Sequence, residues 1–337
     1  MDQFVKGLCK QKCPEREIIL RSEEKLVHFY EKNPTSGQLD RRRMVKAFAR
    51  SAAGKECKAQ DLRTLNALKE TVNYLLSEIF PDRRKPYHFV YDFIFDRFRA
   101  IRQEIVMQNL NPRDTVSLLE PMIIFFLTSR HFLSGESLEK FDRKICRQHT
   151  MECVQTVLVC YETETVGETP NRNIMESIYL LMNLGNADTL QRGLSISGQF
   201  NSSDLFRKAL KISLYCWQNN YYQVLRMWTE LPTICCMAAA TESIPDVREK
   251  LMARLVAGFH NKHLTVPLSW LEKIFHYGDR DHLLSDLRRF CIENVNETDA
   301  RFDKVAFNKR EKTLLHRPEP IVERKLSMQP ITTLLII

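Results

Sequence analysis

The chain has 337 residues and a formal net charge of +8, with 44% hydrophobic and 27% charged residues. Those proportions exclude wholesale disorder, and the 10 glycines are too few for the phosphate-cradling loops, tight hairpins and dinucleotide folds that consume glycine. No apolar run approaches the roughly 18 residues of a membrane helix, and the start MDQFVKGLCKQKC lacks the apolar stretch of a signal peptide, so a soluble intracellular protein without membrane insertion is expected.

Charge is uneven. Residues 1–112 carry 22 basic against 15 acidic side chains, residues 113–242 carry 12 against 14, and residues 243–337 carry 16 against 13. The excess in the first third suggests a local basic surface and permits RNA or another polyanion as partner. Ten cysteines in an intracellular chain read as reduced thiols. Cys9 and Cys13 are spaced to face one metal, but no second Cys/His pair follows at finger-like spacing, so neither metal nor cofactor is expected.

Helical periodicity dominates. Pro14 suits a first helical position, and Ile18, Ile19, Leu26 and Phe29 are expected to form one apolar stripe to about Lys32, broken by the Asn33–Gly37 turn. Leu65, Leu68, Val72, Leu75, Leu76 and Ile79 recur at helix spacing and stop at Pro81. A long helix is expected from Tyr87 to about Gln108, and others at roughly 114–133, 136–164, 171–184, 187–197, 203–218, 220–231 and 245–261. In 136–164, Cys146, Cys153 and Cys160 recur every seven residues and fall on one stripe. Short links make neighbours antiparallel, and the succession of helix pairs without a strict repeat suggests an irregular solenoid.

The last hundred residues change character. Helical stretches around Trp270–Phe275 and Asp281–Glu293 precede residues 301–307, whose Phe302, Val305 and Phe307 suggest a strand. Two short helices and a β element are what a winged-helix module shows. Beyond Arg310, Pro318, Pro320 and Pro330 with mixed charge suggest a loose tail, ending in an apolar Leu334–Ile337 that can dock in a partner groove.

Catalytic signatures are missing. Gly54-Lys55 lacks the preceding glycine and following hydroxyl of a phosphate loop, with Ala49 and Glu56 in those places, and no G-x-G-x-x-G, H-E-x-x-H or G-x-S-x-G occurs. A non-enzyme is expected.

Three polar segments stand out. In the first, Gly7-x-Cys9 leads to Cys13-Pro14-x-x-Glu17-x-x-x-Arg21, where Glu17 and Arg21 form a favourably ordered i,i+4 pair of a solvated helix start. The second is Arg41-Arg42-Arg43-x-x-Lys46-x-x-x-Arg50 with the small run Ser51-Ala52-Ala53-Gly54; it reads equally as a basic helix face ending at a glycine cap or as an anion-contacting patch. The third, Asp96-Arg97-x-Arg99 followed by Arg102-Gln103-Glu104 and Gln108, is read as mutual ion pairing of Asp92, Asp96, Arg99 and Arg102 and capping of neighbouring loops in preference to ligand contact, because adjacent carboxylates weaken phosphate binding.

Those segments, in that order, resemble the motifs of the SAC/GANP domain family. GLCKQKCPEREIILR is similar to its Cys-Pro-Glu opening, RRRMVKAFARSAAGKE with DLRTLNALKETVNYLL to its central blocks, and FDRFRAIRQEIVMQ to its D-R-x-R block. Weaker collinear matches follow at Glu120 with Arg130-His131, and at Asn173, Glu176 and Tyr179.

The resemblance covers residues 7–310 and implies a non-enzymatic scaffold: an all-α, TPR-like irregular helical array capped by a C-terminal winged helix. It implies pairing with a PCI-domain protein and a small acidic disordered subunit, and service in a nuclear mRNA-export complex at the nuclear pore. Arg288, Arg289, Lys304, Lys309 and Arg310, in the winged-helix segment, are then candidate RNA contacts, beside Arg41, Arg42, Arg43 and Lys46. Cys13, Pro14, Glu17, Arg21, Arg50, Ala52, Ala53, Gly54, Asp96, Arg97, Arg99, Arg102 and Gln103 carry the family's structural motifs. The expected organisation is a motif helix and linker over 1–36, the helical domain over 37–262, the winged helix over 263–312 and the tail over 313–337. The chain lacks Phe-Gly repeats and the further arms of large export scaffolds, which leaves a centrosome-duplication or spindle-assembly role, at the centrosome, spindle or in the cytoplasm, as the alternative.

Overall fold

The computed structural model describes residues 4–49, 58–163, 169–200, 202–241, 243–309 and 317–328. The fold is all-α with little strand. It forms two compact units: one holds residues up to Phe125 together with Glu152–Thr169, the other Phe126–Met151 and the residues from Pro170 onward.

In the first unit α1 (Glu15–Glu23) starts after Pro14, whose missing N–H costs nothing at a helix start. It is shorter than the periodicity suggests. Ile18 is buried, but Ile19, Leu26 and Phe29 are exposed, so the expected stripe does not form. The chain leaves the helix through Lys25 at φ 56° and makes a single 3-10 turn at Phe29–Glu31 instead. Arg41–Arg43 is likewise one 3-10 turn, and residues 44–49 are neither helix nor strand. Among the described residues 41–49 no basic helix face, one of the two readings of this segment, forms. Arg50 and the Ala52-Ala53-Gly54 run lie outside the described residues.

α2 (Leu65–Tyr74) is capped by Thr64, whose hydroxyl accepts from the Ala67 N–H at 3.3 Å, and buries Ala67, Leu68, Thr71 and Val72 on one face. It continues as a π-helical turn over Leu75–Ile79 before Pro81. α3 (Tyr87–Met107) begins after Pro86, turns Val90, Ile94, Phe98, Ile101 and Ile105 inward, and ends where Asn109 takes φ 46°. α4 (Pro112–Phe132) has proline as its first residue, with the Asp114 N–H received by Asn111 at 2.9 Å. Its Phe125 stacks on Tyr91 and meets Phe80 and Phe98 edge-on.

α5 (Arg143–Tyr161) starts seven residues later than the expected 136, because Asp142 caps the Lys144 and Ile145 N–H groups and Arg143 holds the preceding turn through the carbonyls of Ser134 and Glu136. Cys146, Cys153 and Cys160 do face inward, at 0, 1 and 9% exposure.

The second unit continues with α6 (Arg172–Met182), α7 (Ala187–Ile196), α8 (Asp204–Trp217), α9 (Tyr221–Trp228), α10 (Thr233–Ala240) and α11 (Ser243–Phe259). Asn186, Ser203 and Asn220 cap the second, third and fourth of these. Each helix packs on its near neighbours in the chain: α6 on α7, α8 and α10, α8 on α9, and α9 on α11. Sequence periodicity misses α10 because all eight of its residues are buried, which leaves no polar face to set a period.

The end module follows. β1 (Val266–Pro267), β2 (Glu293–Asn294) and β3 (Asp299–Arg301) form an antiparallel sheet in the order β1-β3-β2, with Val266 opposite Ala300 and Asn294 opposite the same residue on the other side. Between β1 and β2 lie α12 (Leu268–Phe275) and α13 (Arg280–Arg289). The strand expected over 301–307 stops at Arg301, because Asp303 accepts from the N–H groups of Val305 and Ala306 and starts α14 (Lys304–Lys309). The segment expected to be loose contains α15 (Pro320–Met328), which packs on α10 with Ile321 and Val322 buried.

Candidate functional site

The motif side chains of the first unit converge on the irregular segment 44–49. Its backbone has no strand partner, and side chains take that place. The Val45 N–H donates to Glu31 at 3.2 Å, the Ala47 N–H to Glu17 at 2.8 Å and the Phe48 N–H to Asp96 at 3.1 Å. Arg21 donates to the Val45 carbonyl at 3.1 Å and Gln103 to that of Ala49 at 3.1 Å. Burying a backbone segment requires such pairing for every polar group.

Glu31 is the hub. At 0% exposure it binds Arg21 and Arg97, and it also accepts from the His28 N–H at 3.0 Å. Burial pushes its carboxyl pKa up, but Arg97 and Arg21 outweigh that and the net shift is downward. Arg97 further bridges to Asp96 at 2.6 Å and lies 4.3 Å over the Phe93 ring. The Glu17–Arg21 pair is therefore not the solvated surface contact its spacing suggests: Arg21 is 8% exposed and belongs to the Glu31 cluster. Nor do Asp92, Asp96, Arg99 and Arg102 pair as a set. Arg99 stacks 3.8 Å from the Phe48 ring and Arg102 reaches Glu152 at 2.7 Å, while burial raises the carboxyl pKa of Asp92.

A second hub is Glu104. It accepts from the Arg63 N–H at 2.7 Å and side chain at 3.0 Å and pairs with Lys46 at 3.0 Å. Gln108 beside it donates to the Arg63 carbonyl at 3.0 Å and accepts from the Gly7 N–H at 2.9 Å. A Cβ on Gly7 would lie 2.3 Å from that carbonyl, so only glycine fits. Cys13 and Pro14 are buried, Cys13 with Ile18 and Met44, and burial raises the thiol pKa values of Cys9 and Cys13, which disfavours the thiolate a metal needs. Glu31 escapes sequence reasoning because a lone carboxylate within Phe29-Tyr30-Glu31 has no spacing signature; its one signal is an acid set among apolar residues.

The cationic candidates divide. Lys46 is held by Glu104 and by the Asp61 carbonyl at 2.6 Å, and Arg43 by the Tyr30 carbonyl at 3.2 Å. Arg41 pairs with Glu15, and Arg42 is exposed. In the end module Arg288, Lys304 and Lys309 are exposed, whereas Arg289 lies over the Phe290 ring at 4.4 Å beside Asp286 at 3.7 Å. Arg310 lies outside the described residues. The module as a whole is not basic, since residues 263–312 carry nine Lys/Arg and nine Asp/Glu.

The second unit has its own buried polar cluster. Arg248, 2% exposed, pairs with Glu319 at 2.7 Å and lies 4.3 Å over Tyr277, whose hydroxyl bonds Asp286; Arg317 completes it at 3.2 Å from Asp286. His131 meets Glu323 at 2.6 Å, and Lys325 donates to the Leu231 carbonyl at 2.8 Å. Together these tie α15 down. Arg130 reaches Thr241 at 2.8 Å and Glu176 pairs with Arg192 at 2.9 Å, while in the first unit Glu120 accepts from Tyr161.

In both units the described motif residues are largely engaged with the chain's own backbone and with one another, so in this helical protein they serve its own fold. The model of the SAC3/GANP family matches residues 12–296, and the chain belongs to that family. Among curated proteins it is similar to Protein xmas of Drosophila melanogaster, 25% identical over 305 residues, covering 86% of this chain and 15% of that protein. It is similar to SAC3 family protein 1 of Schizosaccharomyces pombe, 24% identical with 89% and 32% covered. SAC3 family protein B of Arabidopsis thaliana matches at 32% identity over 146 residues, 40% of this chain and 8% of that protein. The chain thus spans less than a third of the length of each of these relatives.

Proposed function

We propose that the chain is a non-catalytic scaffold of a nuclear mRNA-export complex, which pairs with a PCI-domain subunit and a small acidic disordered protein and contacts RNA. The observation that carries the reading is the side-chain clamp on residues 44–49: it fixes an irregular segment rigidly, as a docking frame requires, and uses up the motif residues in doing so. Membership of the SAC3/GANP family supports it. We read the two helices and three-stranded sheet over residues 266–301 as the winged helix, because the β1-α12-α13-β2-β3 order with a central β3 suits that module, and the helix array before it as TPR-like. A nuclear, pore-associated location follows from the same reading.

Co-expression with a PCI-domain subunit tests it. A complex that stays together on size exclusion supports the scaffold; two separate peaks overturn the pairing. Imaging the tagged protein through the cell cycle separates the export role, with signal at the nuclear rim, from a spindle or centrosome role, with signal at the mitotic poles.

A further inference from the structure

Most cations of the first unit are already engaged: Arg21 and Arg97 with Glu31, Arg63 and Lys46 with Glu104. Four others converge elsewhere. Lys10, Lys12, Arg41 and Arg42 line an open cleft of about 420 Å³ whose carboxylates are Glu15 and Glu70. Glu15 is taken by Arg41. Among the described residues, the side chains of Lys10 and Arg42 have no hydrogen-bond or ion-pair partner.

The two basic segments are held in register and are not loose arms. The Lys46 N–H donates to the Lys12 carbonyl at 3.0 Å, and Asp40 accepts from the Arg42 N–H at 2.9 Å. The Lys12 ammonium lies 4.6 Å over the Tyr74 ring, and burial lowers its pKa, opposed by Glu70 and Asp40 and reinforced by Arg43. The apolar residues of the cleft, Cys13, Ile18 and Met44, are each 1% exposed. A peptide would therefore gain almost no apolar burial there, whereas a phosphate needs only the charges and guanidinium forks.

We infer that this cleft binds the phosphodiester backbone of single-stranded RNA, as a contact separate from the end module. The inference rests on the reading that the chain contacts RNA. Charge makes the N-terminal surface the better candidate, since residues 4–49 carry eleven basic and six acidic side chains while the end module is balanced.

The test is fluorescence anisotropy of the full chain with labelled poly(U) between 50 and 200 mM salt, comparing wild type, K10Q/R42Q and R288Q/K304Q/K309Q. Loss of two phosphate contacts lowers the log–log salt slope by about 1.4 and weakens binding roughly tenfold or more; the end-module variant reports the other candidate surface and should lose less affinity than K10Q/R42Q. The single variants K10Q and R42Q, each expected to lower the slope by about 0.7, keep the test alive if the double variant does not fold. If K10Q/R42Q binds normally and the end-module variant loses RNA, the cleft is refuted and the RNA reading stands. If wild type binds no RNA at 50 mM salt, both fall. Tighter binding of poly-glutamate than of poly(U) at equal charge, lost in K10Q/R42Q, overturns the assignment to nucleic acid.

Discussion

Replacing Glu31 by alanine is the most direct challenge to the clamp. The change removes the carboxylate shared by two buried guanidiniums, Arg21 at 8% and Arg97 at 6% exposure, leaving them only Glu17 and Asp96, and it deprives the N–H groups of Val45 and His28 of their acceptor. Removing one partner from a buried ion pair costs about 3–5 kcal/mol, and the unsatisfied N–H groups act in the same direction. At roughly 2–4 °C per kcal/mol for a unit of this size, the melting transition should fall by about 6–20 °C. Hydrogen exchange read on residues 44–49 should accelerate first. The exposed Glu15–Arg41 pair provides the control, because E15A should cost under about 1 kcal/mol.

The pH dependence has a definite sign. Because the folded carboxyl of Glu31 titrates below its ordinary value near 4.5, its stabilisation is fully present above that value and is lost as pH falls through the folded pKa. Wild type and E31Q should therefore differ in stability at pH 7 and converge on acidification below 4.5. An E31A protein that melts within about 3 °C of wild type, with residues 44–49 equally protected, would refute the account of Glu31 as hub.

Other outcomes follow from the same contacts. The His28 imidazole, its pKa lowered to about 4 by burial and then by the charge of Arg97, should show no NMR titration between pH 7 and 5; a midpoint near 6.5 would contradict its burial. G7A should destabilise the first unit by roughly 1–3 kcal/mol in denaturant unfolding, since its methyl would collide with the rigid Arg63 carbonyl. E319A should strand the buried Arg248 at about 3–5 kcal/mol and open α15 to limited proteolysis within residues 317–328 while the first unit stays resistant.

Much of the fold was legible in the sequence because amphipathic spacing is a local signal. α2, α3 and α4 lie close to their expected bounds, each with an interior face and a proline or capping residue at its start. The misses have local causes too: α10 is buried on every side, and a single carboxylate, Asp303, converts an expected strand into α14. For α15 the three prolines misled, although one of them is the helix's first residue.

The sequence by itself determined the helical class, the family and the existence of three polar segments, because residue type and spacing along a helix suffice for those. Only the tertiary structure decided what the polar residues do. Glu17 and Arg21 are far along the chain from Asp96 and Gln103, and their common target, the backbone of residues 44–49, carries no mark in side-chain identity. The same holds for the cations: Lys46 and Arg42 are alike in charge, and burial beside Glu104 removes the first from reach while exposure leaves the second available. Charge is written in the sequence, but its availability depends on which opposite charge folding brings to within a few ångströms.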